Sequence, residues 1–179
     1  GLIAIYFILI HQYYWAGFFI ILKSIIDAAD GELARIRNTP SYTGRYLDSI
    51  FDLILNFLFL SVICYVSQTS FWMMLLAFIG IQLQGTLYNY YYVILRNKSI
   101  GGDATSKIFE HKTPKALTGE NQKTVNILFK IYTIVYGSFD KIIHLLDNDA
   151  YKVKTFPNWF MTLLSIYGLG FQLLIIAVM

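Results

Sequence analysis

The sequence predicts an all-α, polytopic transmembrane helix bundle, and three observations carry that reading. Of 179 residues, 56% are apolar and only 14% are charged, against about 25% charged in an ordinary soluble domain. Aromatic residues make up 17%, more apolar surface than a soluble chain of this length can hide under so few charges. The apolar residues also come in runs of membrane-crossing length, roughly 20 residues, and the Lys and Arg residues cluster between alternate runs.

Taken in order, residues 1–10 read as the end of a first helix and 12–29 as a second, whose lower end carries Lys23, Asp27 and Asp30. A third helix is expected over 46–66, apolar after Asp52 except for Asn56 and Ser61, and a fourth over 71–95, interrupted by Gln82, Gln84 and Asn89. A fifth is expected over 159–179. Both ends of the chain lie inside apolar sequence, so each terminal helix is expected to be incomplete, and the apolar start has neither the basic leader nor the cleavage site of a signal peptide.

The short connections at 11–13 and 67–70 hold no Lys or Arg, while Arg35, Arg37 and Arg45, then Arg96, Lys98, Lys107, Lys112, Lys115 and Lys123, then Lys152 and Lys154, flank the other helix ends. By the positive-inside rule, residues 30–45 and 96–158 are expected in the cytoplasm. Within the second of these, 101–122 reads as a polar loop. Residues 123–147 tempt a sixth crossing, but Lys130, Asp140, Lys141 and His144 are costly at depth. An amphipathic segment lying in the interface and broken near Gly137 is the expectation. The chain is thus read as one membrane domain, 1–179. Residues 1–95 form its first four helices, 96–158 a cytoplasmic loop with an interfacial helix, and 159–179 the fifth helix. Cys64 has no intrachain partner, and the basic residues form no continuous stripe, so nucleic acid is not expected as a partner.

One cluster carries chemistry. Asp27 and Asp30 are three apart, and Gly44, Asp48 and Asp52 are each four apart, so each set shares a helix face. If the two helix ends lie antiparallel, four carboxylates converge and repel one another unless cations sit between them. Carboxylate oxygens are the donors that Mg²⁺ or Mn²⁺ prefers, commonly beside substrate phosphates. Gly31, Ala34 and Gly44 leave room for a nucleotide to approach the backbone, and Arg35 suits a phosphate.

The residues read D-x-x-D-G-x-x-A-R, eight residues, then G-x-x-x-D-x-x-x-D. This string resembles the signature of the CDP-alcohol phosphotransferases, with all of Asp27, Asp30, Gly31, Ala34, Arg35, Gly44, Asp48 and Asp52 matching. The resemblance implies a six-helix transmembrane fold and a homodimer. It implies transfer of a substituted phosphate from a CDP-linked donor, such as CDP-diacylglycerol, to an alcohol acceptor, with release of CMP, in phospholipid synthesis. It also implies roles: Asp27, Asp30 and Asp48 as ligands of one or two Mg²⁺ or Mn²⁺ ions, and Asp52 as a further ligand or the general base. Asp30, Gly31, Ala34, Arg35 and Gly44 would form the nucleotide site.

Plainer roles stand beside these. Lys23 pairs with Asp27, snorkels to the headgroups, or meets the acceptor. Arg45 holds an acceptor phosphate or is an ordinary anchor, and Gln82, Gln84 and Asn89 bond neighbouring helices or line a cavity. Lys107, Lys112 and Lys115 are expected to meet anionic headgroups, and membrane lipids are partners in any case. The competing activity is an aminoalcohol phosphotransferase using CDP-choline or CDP-ethanolamine with diacylglycerol. The competing class is a cation-binding transporter, which needs its acids near the bilayer midplane.

Overall fold

A computed structural model describes residues 1–37, 39–98, 105, 110, 112–153 and 155–178, with the Arg35 side chain outside the description. The sequence-based readings of Lys107 and Lys154 therefore lie outside the described residues. The described chain is helical: α1 (Leu2–Leu9), α2 (Tyr13–Ile36), α3 (Tyr42–Val66), α4 (Phe71–Lys98), α5 (Gln122–Leu146), a short 3₁₀ turn at Ala150–Lys152, α6 (Asn158–Ser165) and α7 (Leu169–Val178).

Length and composition make α3 and α4 fit to cross a membrane, and α6 with α7, bent by 44° at their junction, pass together as a third candidate. Their outward surfaces are what lipid would meet: Trp72 is 75% exposed and Leu76 73%. The expectation of one helix over 159–179 is corrected, because the chain bends at Tyr167 and Gly168. There a Cβ on Gly168 would sit 3.1 Å from the Ser165 carbonyl oxygen and 3.4 Å from the Tyr88 ring. The second helix runs on to Ile36 rather than ending at 29. Asp30 and Glu32 end its apolar run but not its helix, since charged side chains are tolerated well on a solvated helical face.

The core has three parts. Ala4 and Ile8 of α1, Ala16 and Ile20 of α2, Phe59 of α3 and Leu173 of α7 form the first. Here α2 and α7 come very close, since a Cβ on Gly17 would stand 2.6 Å from the Ala177 carbonyl oxygen. Tyr42 and Tyr46 pack with Val125, Leu128 and Phe129 in the second, and Tyr90 and Ile94 pack with Ile143 and Ala150 in the third. α3 and α4 are antiparallel across the turn at 67–70, so Tyr42–Tyr46 and Tyr90–Ile94 lie at the same end of that pair. α5 therefore runs across this end, its first half on α3 and its second half on α4. It is one continuous helix, which corrects the expected break near Gly137. Packing on both neighbours outweighs the roughly 1 kcal/mol helical penalty of a glycine, and a Cβ there would make an ordinary 3.4 Å contact with Thr133.

The start of α3 is pinned from a distance. Ser41 accepts from the Gly44 N–H at 2.9 Å, a standard N-cap. Glu120 accepts from the Ser41 hydroxyl at 2.8 Å, from the Thr43 N–H at 2.7 Å and from the Leu117 N–H at 3.1 Å. Burial raises the Glu120 carboxyl, but these hydrogen bonds outweigh it and hold the group down at about 2 against an ordinary 4.5. A folded value below the unfolded one means the contribution is present above about pH 4.5 and is lost as pH falls toward 2. Glu120→Gln is expected to cost about 1 kcal/mol at neutral pH, discounted for exposure. Its apparent thermal midpoint in detergent would fall below wild type at pH 7, with the gap closing as the pH approaches 3.

Candidate active site

The two halves of the aspartate signature are carried by α2 and α3. α2 packs chiefly on α1 and α7, and α3 on α1, α4 and α5. The link between the halves is Lys23: its ammonium forms ion pairs with Asp27 one turn along α2 and with Asp52 on α3. The Lys23 side chain is 12% exposed and that of Asp52 18%, so one cation is held between two partly buried carboxylates. Asp27 is the more open of the two, its side chain 39% exposed. Asp48 lies near enough to Asp52, Asp27 and Asp30 for their charges to act on it, though among the described residues no three acidic, His or Cys side chains come together as a ready metal cage. Of the four carboxylates, Asp27 and Asp52 share the Lys23 ammonium, and Asp48 lies within electrostatic reach of Asp27, Asp30 and Asp52.

These residues nonetheless fit a divalent cation. The donors are carboxylate oxygens, and a positive charge, supplied here by Lys23, already sits where two of them meet. Around them the chain is open. A Cβ on Gly31 would meet nothing within 4 Å, whereas one on Gly44 would lie 3.3 Å from the Ser41 hydroxyl that caps its helix. Gly31 and Ala34 are exposed on the same helix as Asp27 and Asp30, which leaves their face free for a ligand.

Arg45 is otherwise engaged. Its guanidinium pairs with Glu110, donates to the Thr105 carbonyl at 2.5 Å, and lies 4.6 Å from the Tyr46 ring centroid. The Tyr46 hydroxyl donates to the second Glu110 oxygen at 2.6 Å. Arg45 thus ties the described part of the long α4–α5 connection to α3.

On its other side Asp52 reaches a cavity of about 250 Å³ between α3, α4, α5 and α7. Asp48, Ser49, Asp52 and Asn56 form its α3 wall, and Gln82, Thr86 and Asn89 its polar α4 wall. Tyr132, Tyr136 and Asp140 close it from α5, and Gln172 from α7. The Tyr136 hydroxyl donates to the Ser49 carbonyl at 2.9 Å and joins α5 to the wall. Of these, Asn56, Gln82 and Asn89 stand out in the sequence as polar intrusions. Tyr136 and Gln172 do not, because nothing local marks them as facing residues 80 or more positions away, and Asp140 stands out only as a charge costly at depth.

Burial, with Glu110 adding to it and Arg45 opposing it, pushes the Asp140 carboxyl up to about 6 from an ordinary 3.8. An acid with a raised folded value favours the fold most at low pH, below about 4, and loses that favour as pH rises through 6. Asp140→Asn, neutral at every pH, is expected to raise the apparent thermal midpoint at pH 7.5 by the equivalent of about 1–2 kcal/mol. At pH 4 it should leave the midpoint nearly unchanged.

The comparison with known sequences bears directly on this arrangement. The sequence model of the CDP-alcohol phosphatidyltransferase family matches residues 1–167. The chain belongs to that family. Among curated proteins, the "Bifunctional IPC transferase and DIPP synthase" of Archaeoglobus fulgidus is 46% identical to it over 48 residues, 27% of this chain. That match spans 10% of the relative's length. No solved structure matches the chain. As a member of the CDP-alcohol phosphatidyltransferase family it carries all eight signature residues, the second helix supplying Asp27, Asp30, Gly31, Ala34 and Arg35, and the third Gly44, Asp48 and Asp52.

Proposed function

We propose that this chain transfers a phosphatidyl group from CDP-diacylglycerol to the hydroxyl of an alcohol acceptor, releasing CMP, at the cytoplasmic face of the membrane. The observation that carries the reading is the pairing of Asp27 and Asp52 around one cation, inside a signature whose eight residues all match. The one-sided placement of Lys and Arg supports the cytoplasmic face.

Asp27, Asp30, Asp48 and Asp52 would hold one or two Mg²⁺ or Mn²⁺ ions, and the bound metal would supply charge neutralisation at the donor diphosphate. Asp30, Gly31, Ala34, Arg35 and Gly44 would receive the cytidine nucleotide, with Arg35 paired to its phosphates. Asp52, placed between the cation position and the cavity, would take the proton from the acceptor hydroxyl. The acceptor oxygen then forms its bond to the phosphatidyl phosphorus, the bond from that phosphorus to the CMP oxygen breaks, and CMP leaves. With donor and metal absent, Lys23 neutralises the carboxylates that would otherwise repel.

The test is CMP release by the full-length protein in lipid nanodiscs with Mg²⁺ or Mn²⁺. CDP-diacylglycerol is offered with a panel of alcohols, and CDP-choline or CDP-ethanolamine with diacylglycerol. Release from CDP-diacylglycerol is the expected result. Release confined to the soluble donors would replace the phosphatidyl reading with aminoalcohol transfer. Metal-stimulated cation flux with no CDP binding would sink both.

A further inference from the structure

Helix α5 shows two apolar faces where an ordinary surface helix shows one. The inner face, with Val125, Leu128, Phe129 and Ile143 buried, packs on α3 and α4. On the outer side Ile127, Ile134 and Leu145 are 60%, 79% and 81% exposed, and Ile131 and Ile142 between them are exposed too. Their spacing along the sequence keeps all five on one helical stripe. Lys123, Lys130 and Lys141 each stand one turn before a member of that stripe, Ile127, Ile134 and Leu145 in that order, so the three lie along the same edge of it. All three are exposed, while the acid of this helix, Asp140, faces the cavity wall instead.

We infer that the outer face of α5 rests on an anionic lipid surface, its Ile and Leu side chains among the acyl chains and its lysines at the lipid phosphates. An apolar stripe this long, left in the open, marks a contact with protein or membrane. α5 is not among the described helices apolar enough to cross a membrane, yet it packs beside α3 and α4, which are. Its Tyr136 hydroxyl reaches the Ser49 carbonyl, about two turns into α3. α5 therefore lies against the flank of the α3–α4 pair and not below its tip, and its outer side turns toward the bilayer at the level of the headgroups. A lysine row edging an apolar stripe suits a helix lying in the membrane plane, because the stems follow the stripe inward while the ammonium groups reach outward. Charge decides among the occupants. A second copy of this face would set one lysine row against another, and a zwitterionic surface offers no net attraction. An anionic surface draws every basic residue near it.

The experiment uses the full chain with Cys64→Ser and one nitroxide-labelled cysteine, Ile134→Cys or Leu145→Cys on the stripe, or Thr133→Cys, exposed but off it. The nanodiscs are phosphatidylcholine, with or without equimolar phosphatidylglycerol. Electron paramagnetic resonance compares contact with oxygen, which concentrates in lipid, against contact with a water-soluble nickel chelate. Oxygen contact is expected to dominate at positions 134 and 145 and nickel contact at 133, with deeper immersion of the stripe when phosphatidylglycerol is present. The combined Lys123→Gln, Lys130→Gln and Lys141→Gln variant should abolish that deepening. Dominant nickel contact at 134 and 145 in both lipids overturns the inference, as does equal immersion with and without phosphatidylglycerol. Spin–spin broadening between copies gives the face to a second copy and overturns it too. If the labelled variants do not fold, hydrogen–deuterium exchange on the wild-type chain replaces them. Exchange over residues 122–146 is then expected to be about tenfold slower with phosphatidylglycerol, a modest part of what three basic residues gain at an anionic surface. An unchanged rate overturns the inference. None of these readouts uses turnover, so each outcome leaves the transferase reading untouched.

Discussion

Asp52→Asn is expected to lower the rate of CMP release by about 10³-fold, the middle of the range for removing a general base. Asn keeps the shape and one oxygen, and Lys23 keeps Asp27 as its partner, so α3 and its packing are expected to stay intact. Asp52 touches both the Lys23 ammonium and the cavity, which on the proposed reading would put it between donor and acceptor. The loss should therefore fall on kcat, with CDP binding retained within several-fold. The measurement is a single-turnover assay beside calorimetry for CDP. Full CMP release by the variant would remove Asp52 from the chemistry, and a collapse of CDP binding with unchanged turnover at saturating donor would make it a binding residue alone.

Chelation of divalent metal is expected to abolish turnover, and added Mg²⁺ or Mn²⁺ to restore it. A second readout separates metal binding from catalysis. A metal held as proposed by Asp27 and Asp52 would have to displace the Lys23 ammonium between them, since two cations cannot share that position. Removing the competitor in Lys23→Met should tighten metal binding by about tenfold, equivalent to about 1.4 kcal/mol. It should also lower the thermal midpoint of the metal-free protein, whose carboxylates then face each other uncompensated. Mn²⁺ titration followed by electron paramagnetic resonance reads the first effect without any turnover. Unchanged affinity would mean that the metal binds elsewhere, and undiminished CMP release in excess chelator would remove metal from the mechanism altogether.

Much of this site is legible in the sequence because its residues are local. Three- and four-residue spacings put Asp27 with Asp30 and Asp48 with Asp52 on single faces whatever the rest of the chain does. The apolar runs of α3 and α4 are equally plain, since lipid exposure leaves nearly every position hydrophobic. What the sequence conceals are pairings across long separations. Glu120 caps α3 from 79 residues beyond Ser41, and Glu110 claims Arg45 from 65 residues away. No periodicity announces either. Gly137 misleads in the other direction, because a glycine's intrinsic cost is small beside the packing of α5 on two neighbours. At Gly168 a glycine does coincide with a bend, and the difference between the two lies in the surroundings, not in the residue.

The separate packing of α2 and α3 has a mechanical consequence. Each half of the signature is bolted to a different support, α2 to α7 through the Gly17–Ala177 approach, and α3 to α4 and α5. α1, which touches both α2 and α3, works as the shim that sets the gap, with the fully buried Ala4 in its contact face. The width of the jaw is therefore adjustable from a place that holds no chemistry. A thicker side chain at Ala4 would pry Asp27 from Asp52 while leaving every donor atom intact.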